Sequence, residues 1–216
     1  QISRFIRMLA PLRNFKLPQI IQLKYILLNY LNPRKYFFDD LLGMINLEAK
    51  YGFRSVNYVL NGSKGRYGAR TSTKYLKKYL QEIPVEWPIG MHYNYNTNLN
   101  DANFEDQKQE IEGIIDREIT MGRAHYLKMD PRYSFSFWNK MGIKFDESLG
   151  YPDKVGFRSG IAGSFNPFDN ATNKEMPLLV LPLIAMDSCF HEDLGDAALE
   201  KIINIIDQLT LVGGTF

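Results

Sequence analysis

The sequence predicts an α/β fold built around a parallel sheet, and three observations predict it. From about residue 37 onward, short β-branched or apolar runs alternate with amphipathic segments, the rhythm of successive strand and helix units. The helical patterns close at glycine and lead straight into the next strand. The 216 residues are 45% hydrophobic and 13% aromatic, enough for one sizeable core in one compact unit.

The first 36 residues stand apart, with two basic and apolar helical patches, Ile2–Leu12 and Leu17–Tyr30, separated by Pro11 and Pro18. Their stripes fit packing beside the fold or contact with a membrane surface. Phe38–Tyr51 then places Leu41, Leu42, Ile45 and Ala49 on one helical face, with Gly52 as the stop. A strand follows near 54–60. Residues 72–80 put Tyr75, Leu76, Tyr79 and Leu80 on one stripe behind a Ser or Thr cap. The next strand spans 88–93.

Residues 103–121 open on Glu105 and Asp106, which suit a helix N-terminus. Ile111, Ile114, Ile115 and Ile119 follow at helical spacing, and Gly122 closes the segment. Strands are expected at 122–128, 143–146 and 177–186, with a last one starting at 214. Between them, residues 147–176 carry Gly150, Pro152, Gly156, Gly160, Gly163 and Pro167 and read as a long irregular connection with interleaved aromatics. A final helix over 194–212 carries Leu194, Ala197, Ala198, Ile202, Ile205, Ile206 and Leu209 and ends at Gly213-Gly214.

Charge and cysteine content bound the function. The formal net charge of +2 comes from 26 basic and 24 acidic residues, which gives no strong field for holding phosphates, so nucleic acid is not an expected partner. The single cysteine, Cys189, cannot close an internal disulfide. No signal peptide is visible at the start, and no run of about 18 apolar residues is long enough to span a membrane. A Walker loop and a G-x-S-x-G elbow are both absent.

The residues left to carry chemistry gather at predicted strand ends, where α/β folds collect ligands. They are His92 with Asn94 and Asn96, Arg123 with His125, Asp146, Arg158 and Asp187. Converging from several strands, such groups suit metal-assisted hydrolysis and oxyanion stabilisation. Each also has a plainer role. His92 fits a hydrogen-bonded histidine at a strand end, His125 fits packing beside Tyr126 and Leu127, Arg123 fits an ion pair with an acidic helix residue, and Asp146 and Asp187 fit turn or helix caps. His191 fits a solvated loop.

Several ordered runs resemble the NodB-like polysaccharide deacetylases. They are Ile89-Gly-Met-His-Tyr-Asn-Tyr-Asn96, Gly122-Arg-Ala-His-Tyr-Leu127, Met141-Gly-Ile-Lys-Phe-Asp-Glu-Ser-Leu-Gly-Tyr151, Val155-Gly-Phe-Arg-Ser-Gly160, Val180-Leu-Pro-Leu-Ile-Ala-Met-Asp187 and Gly213-Gly-Thr-Phe216. The resemblance implies an irregular (β/α)7 barrel over residues 37–216, flanked by a helical segment over 1–36. It implies a hydrolase that removes N-acetyl groups from an aminosugar polymer or a surface-polysaccharide precursor with a divalent metal such as zinc. The compartment stays open, with the bacterial cytoplasm favoured over export because no signal peptide is visible.

The same resemblance makes His92 the first histidine of the metal-binding H-x-x-x-H motif and puts Asn96 at the second ligand position. An amide oxygen there is a poorer ligand for zinc than imidazole. Arg123 matches the arginine that positions the catalytic aspartate, and Asp146 the aspartate that orients a terminal histidine. Tyr95, His125, Tyr151, Arg158 and Asp187 become substrate contacts by stacking and hydrogen bonding. The family's first strand, with its Asp-Asp pair, and the end of its last strand, with the leaving-group histidine, are expected upstream of Gln1 and beyond Phe216. The expectation is therefore that this polypeptide alone is inactive. The alternative is a non-catalytic carbohydrate-binding or scaffold protein on the same barrel.

Overall fold

The computed structural model describes residues 33–69, 73–190 and 196–215. The chain forms two compact units, Gln1–Ser55 and Val56–Phe216. In the first, helix α1 spans Pro33–Tyr51. It ends as its sequence directs, with Gly52 at φ +75° donating its N–H to the Ala49 carbonyl at 3.2 Å. Glu48 then accepts from both the backbone and the hydroxyl of Ser55, at 3.1 and 2.9 Å. The helical patches expected over 2–12 and 17–30 lie outside the described residues.

The second unit is an α/β structure with five parallel strands. They are β1 (Asn57–Val59), β2 (Ile89–Tyr93), β3 (Met121–Ala124), β4 (Phe145–Asp146) and, after a small antiparallel hairpin of β5 (Phe168–Asp169) and β6 (Lys174–Glu175), β7 (Leu179–Val180). Neighbours follow chain order, β1-β2-β3-β4-β7. Connections run through α2 (Thr73–Leu80), α3 (Asp101–Ile115) and α4 (Ser134–Lys140), and α5 (Asp196–Val212) follows the sheet. The expected Ser or Thr cap of α2 falls at its very start, and Ser72 and His191 lie outside the described residues.

Several boundaries differ from the sequence reading, among them the strand expected over 177–186, which is confined to Leu179–Val180. Helix α3 begins earlier, because Asn100 caps it by accepting the Asn103 N–H at 3.1 Å. It stops at Ile115 rather than running to 121, because Asp116 turns left-handed at φ 53°, and Ile119 is buried in the loop beyond. Gly122 is consequently a residue inside β3, not a helix stop. The strand read over 122–128 ends at Ala124, since Tyr126 and Leu127 both take positive φ, 59° and 50°. At the far end Gly213 adopts φ +67° and Thr215 donates to the Ala162 carbonyl at 2.8 Å, so Gly214 and Thr215 extend no strand.

Strand parity sets the faces. The register pairs Met91 with Gly122, His92 with Arg123 and Gly122 with Asp146. Met91, Tyr93, Gly122, Ala124 and Asp146 therefore share one face, and Tyr58, Gly90, His92 and Arg123 share the other. The first face holds the core: Tyr93 packs on Phe104 of α3 and Trp138 of α4, with ring centroids 5.2 and 4.7 Å away. Trp138, Phe104, Tyr93, Val180 and Leu178 are fully buried there.

Two glycines make room for rings that cross the sheet. A Cβ on Gly122 would lie 2.0 Å from the Tyr93 hydroxyl oxygen, and a Cβ on Gly90 would lie 2.5 Å from the Tyr58 ring. Each tyrosine lies across the glycine of the next strand and so reaches side chains beyond it.

Candidate functional site

His92 and His125 meet at the carboxyl ends of β2 and β3. Nδ1 of His125 lies 2.9 Å from Nε2 of His92, with the rings nearly perpendicular at 76°. One nitrogen donates to the other, and the tautomer decides which. Burial is the main cause that pulls the His92 imidazole down to about 4, with the His125 ring and the Arg123 guanidinium adding to it against the Arg123 backbone. His92 is neutral at neutral pH.

The loops that carry the pair are pinned together. Asn98 donates to the Lys128 carbonyl at 2.7 Å, and the Lys128 ammonium donates to the Tyr95 carbonyl at 2.7 Å. Asn94, fully buried, donates to the carbonyls of Asn61 and Ser63 and accepts from the Ser63 hydroxyl and the Asn96 N–H. All of its capacity goes into holding the ends of β1 and β2, so its role is structural.

Beside His125 three tyrosines close a triangle. Tyr67 lies 4.9 Å from Tyr95 and 5.3 Å from Tyr126, and Tyr95 lies 5.9 Å from Tyr126, between ring centroids. Tyr126 also stacks edge-on to His125 at 4.5 Å and remains 59% exposed. Its left-handed backbone is an uncommon conformation for a bulky residue, and such strain gathers at ligand sites.

Arg123 sits in register with His92 and pairs with the Glu147 carboxylate, while its guanidinium lies 4.7 Å from the Tyr58 ring centroid. The ion pair is to a strand-end acid rather than to a helix. Burial and the nearby Glu147 carboxylate raise the Tyr58 hydroxyl far above its ordinary range.

Asp146 is brought elsewhere. It lies on the core face, fully buried, and accepts from the Tyr93 hydroxyl at 3.0 Å and from the Ser148 hydroxyl and N–H at 2.9 Å each. Burial raises its carboxyl to about 7 against the pull of these three donors. The Ser148 hydroxyl in turn accepts from the Ala124 N–H at 2.8 Å. Asp146 therefore reaches the histidine pair only through Ser148 and the backbone at which His125 leaves β3.

The other expected contacts are dispersed. Asn96 is exposed on the turn after β2. Tyr151 is half-buried with Lys154 4.3 Å from its ring, and the exposed Arg158 donates to the Gly150 carbonyl at 3.2 Å. Asp187, also exposed, opens a 3-10 turn over Asp187–Phe190 and accepts from the adjacent Ser188 N–H at 2.8 Å. Tyr58, Tyr67 and Glu147 escaped the sequence reading. The signal for Glu147 was present, because strand alternation from Phe145 puts residue 147 on the Arg123 side.

The divalent metal implied by the resemblance would draw on His92 and Asn96. Among the described residues no three histidine, cysteine, aspartate or glutamate side chains cluster as a metal-holding group. His92 and Asn96 supply one imidazole and one exposed amide, fewer than the roughly three protein ligands that a catalytic zinc takes, so these residues by themselves do not fit the metal. A separate cleft of about 480 Å³, lined by Gly62, Ser63, Asn103, Asp106, Gln107 and Glu110, contains no histidine.

The fold and site together define an α/β protein with a polar, aromatic-rimmed site at the carboxyl edge of a parallel sheet. No family model matches the chain, and no curated protein matches it. Among the described residues no helix is long and apolar enough to cross a membrane.

Proposed function

We propose that this chain is a carbohydrate-active hydrolase of the polysaccharide deacetylase kind, with an N-acetylated aminosugar polymer or a surface-polysaccharide precursor bound at the carboxyl edge of β2 and β3. The observation that carries the reading is the His92–His125 contact, 2.9 Å between ring nitrogens, beside the exposed Tyr126 ring. Strand neighbours that follow chain order without reversal support winding as part of an irregular (β/α)7 barrel.

In this reading the tyrosine triangle binds pyranose faces by ring stacking, as amphipathic aromatics do. Hydrolysis of an acetamide needs one group to take a proton from water and one to return it to the leaving amine. Neutral His92, hydrogen-bonded to His125, supplies an imidazole pair between which a proton can pass. Arg123, fixed by Glu147, holds the charge balance beside it, and Asp146 acts through Ser148 on the position of His125. No step is assigned to a metal.

The second reading is a non-catalytic carbohydrate-binding protein, favoured by the exposed Asn96 where the resemblance expects a second ligand. Acetate release from N-acetylglucosamine oligomers, with and without added zinc or cobalt, separates the two. Release that disappears in His92→Gln supports the hydrolase. Oligomer binding without release under any condition supports the binding protein, and neither binding nor release sinks both.

A further inference from the structure

The loops that carry the tyrosine triangle are one-sided in charge. Residues 61–69, 93–100 and 125–129 hold Lys64, Arg66 and Lys128 and no carboxylate, although the chain as a whole is balanced to a net +2. All three basic residues are exposed. The flanking acids, Asp101 and Asp130, are each held by a cation of their own, Lys140 and Arg132.

Two of these cations reach the rings. The Arg66 guanidinium lies 5.1 Å from the Tyr67 ring centroid and the Lys128 ammonium 4.1 Å from that of Tyr95, and the two rings are themselves 4.9 Å apart. A Cβ on Gly65 would lie 3.7 Å from the amide nitrogen of the exposed Asn96, so the loop of Arg66 also meets the turn after β2. Lys128 spends one of its three donors on the Tyr95 carbonyl. Among the described residues neither Arg66 nor Lys128 pairs with a carboxylate. A neutral sugar stacked on the rings leaves both charges unanswered, whereas an anionic substituent meets them with charge-assisted hydrogen bonds. Rings crossed at 79° and 85° about Tyr126 give no row of parallel faces for successive bases, and two cations are too few to follow a nucleic-acid backbone.

We propose that the tyrosine triangle together with Arg66 and Lys128 binds an anionic sugar, its ring against the tyrosines and its carboxylate or phosphate on the two cations. The proposal rests on the carbohydrate reading of the site and narrows the substrate to a glycan that carries negative charge. Arg66 is the residue that sets this preference, since its guanidinium has donors to spare and a planar face that suits both anions.

The test is calorimetry on the full chain with N-acetylglucosamine 1-phosphate and glucuronic acid as anionic probes, and N-acetylglucosamine, inorganic phosphate and an oligothymidylate as comparisons. At least one anionic sugar should bind about tenfold more tightly than the neutral one, and the probe preferred names the anion as phosphate or carboxylate. Arg66→Gln should erase most of that preference and Arg66→Lys keep part of it, and about 0.5 M salt should weaken it by screening exposed charges. Anionic sugars that bind no better than the neutral sugar, or a preference that survives both Arg66→Gln and Lys128→Gln, overturn the site. Inorganic phosphate bound as tightly as the sugar phosphate, or oligothymidylate bound more tightly than any sugar, overturns it as well. Acetate release from neutral oligomers with no anionic preference would remove this site and leave the hydrolase reading standing. Anionic sugars bound through Arg66, with no release from any oligomer, would keep the site and remove the hydrolase.

Discussion

Tyr93 on β2 donates its hydroxyl to Asp146 on β4 at 3.0 Å, spanning the whole width of β3. The bond exists because Gly122, the β3 residue in register with Asp146, has no side chain beneath the ring. The aspartate in turn holds Ser148, and Ser148 holds the last amide of β3 before His125. One glycine therefore governs where a histidine of the site is placed.

Gly122→Ala should cost about 1–3 kcal/mol or more, the penalty for overpacking a filled core. Its Cβ would meet both the hydroxyl and the ring of a tyrosine already packed on Trp138. Tyr93→Phe should not relieve the clash, whereas Tyr93→Leu should relieve part of it. Urea unfolding of the double variants checks this, and simple additivity of Gly122→Ala with Tyr93→Leu would contradict the account.

Two buried groups should give opposing pH dependences. His92 binds its proton more weakly in the folded state, so between about 4 and its ordinary 6.5 stability rises with pH. Asp146 binds its proton more tightly in the folded state, so between its ordinary 3.8 and about 7 stability falls as pH rises. Thermal unfolding of the native sequence should change little across that window. Asp146→Asn should leave a rise with pH and His92→Gln a fall; the same slope in both would refute the assignment.

Glu147→Gln should cost about 1.5–3 kcal/mol, the range for a hydrogen bond to a charged group, because it leaves a largely desolvated Arg123 short of its counter-charge. Replacing both partners, Arg123→Met with Glu147→Leu, should recover much of that loss. Chemical denaturation measures both, and a double variant as unstable as the sum of the two single variants would argue against the pair.

Tyr126→Asn should leave stability unchanged or raise it by up to about 1 kcal/mol, since asparagine tolerates the left-handed backbone that tyrosine adopts at φ 59°. The same change should weaken binding of N-acetylglucosamine oligomers by roughly tenfold, the equivalent of about 1.4 kcal/mol of lost stacking. Calorimetry with the oligomer distinguishes this from a purely structural role, which would lower stability and spare binding.

Much of the order of elements could be read from the chain. Short apolar runs at 88–93 and 143–146 became strands because alternation and flanking turn residues specify them locally. The end of α1 at Gly52 was equally local, a matter of one residue's backbone freedom. The helix at Ser134–Lys140 was missed, being too short for a period to show, although it supplies the buried Trp138. The exit from α3 was misplaced because Gly122 reads as a stop in isolation, and its true reason, a ring from another strand, is not written nearby.

The site divides the same way. The sequence alone determined that His92 and Arg123 end neighbouring strands, because strand period and helix length fix which residues reach the carboxyl edge. Only the tertiary structure decided that His125 turns back onto His92, that Glu147 rather than a helix acid answers Arg123, and that Asp146 faces the core. Those outcomes depend on register and parity between strands tens of residues apart, and one residue of shift sends a side chain to the opposite face.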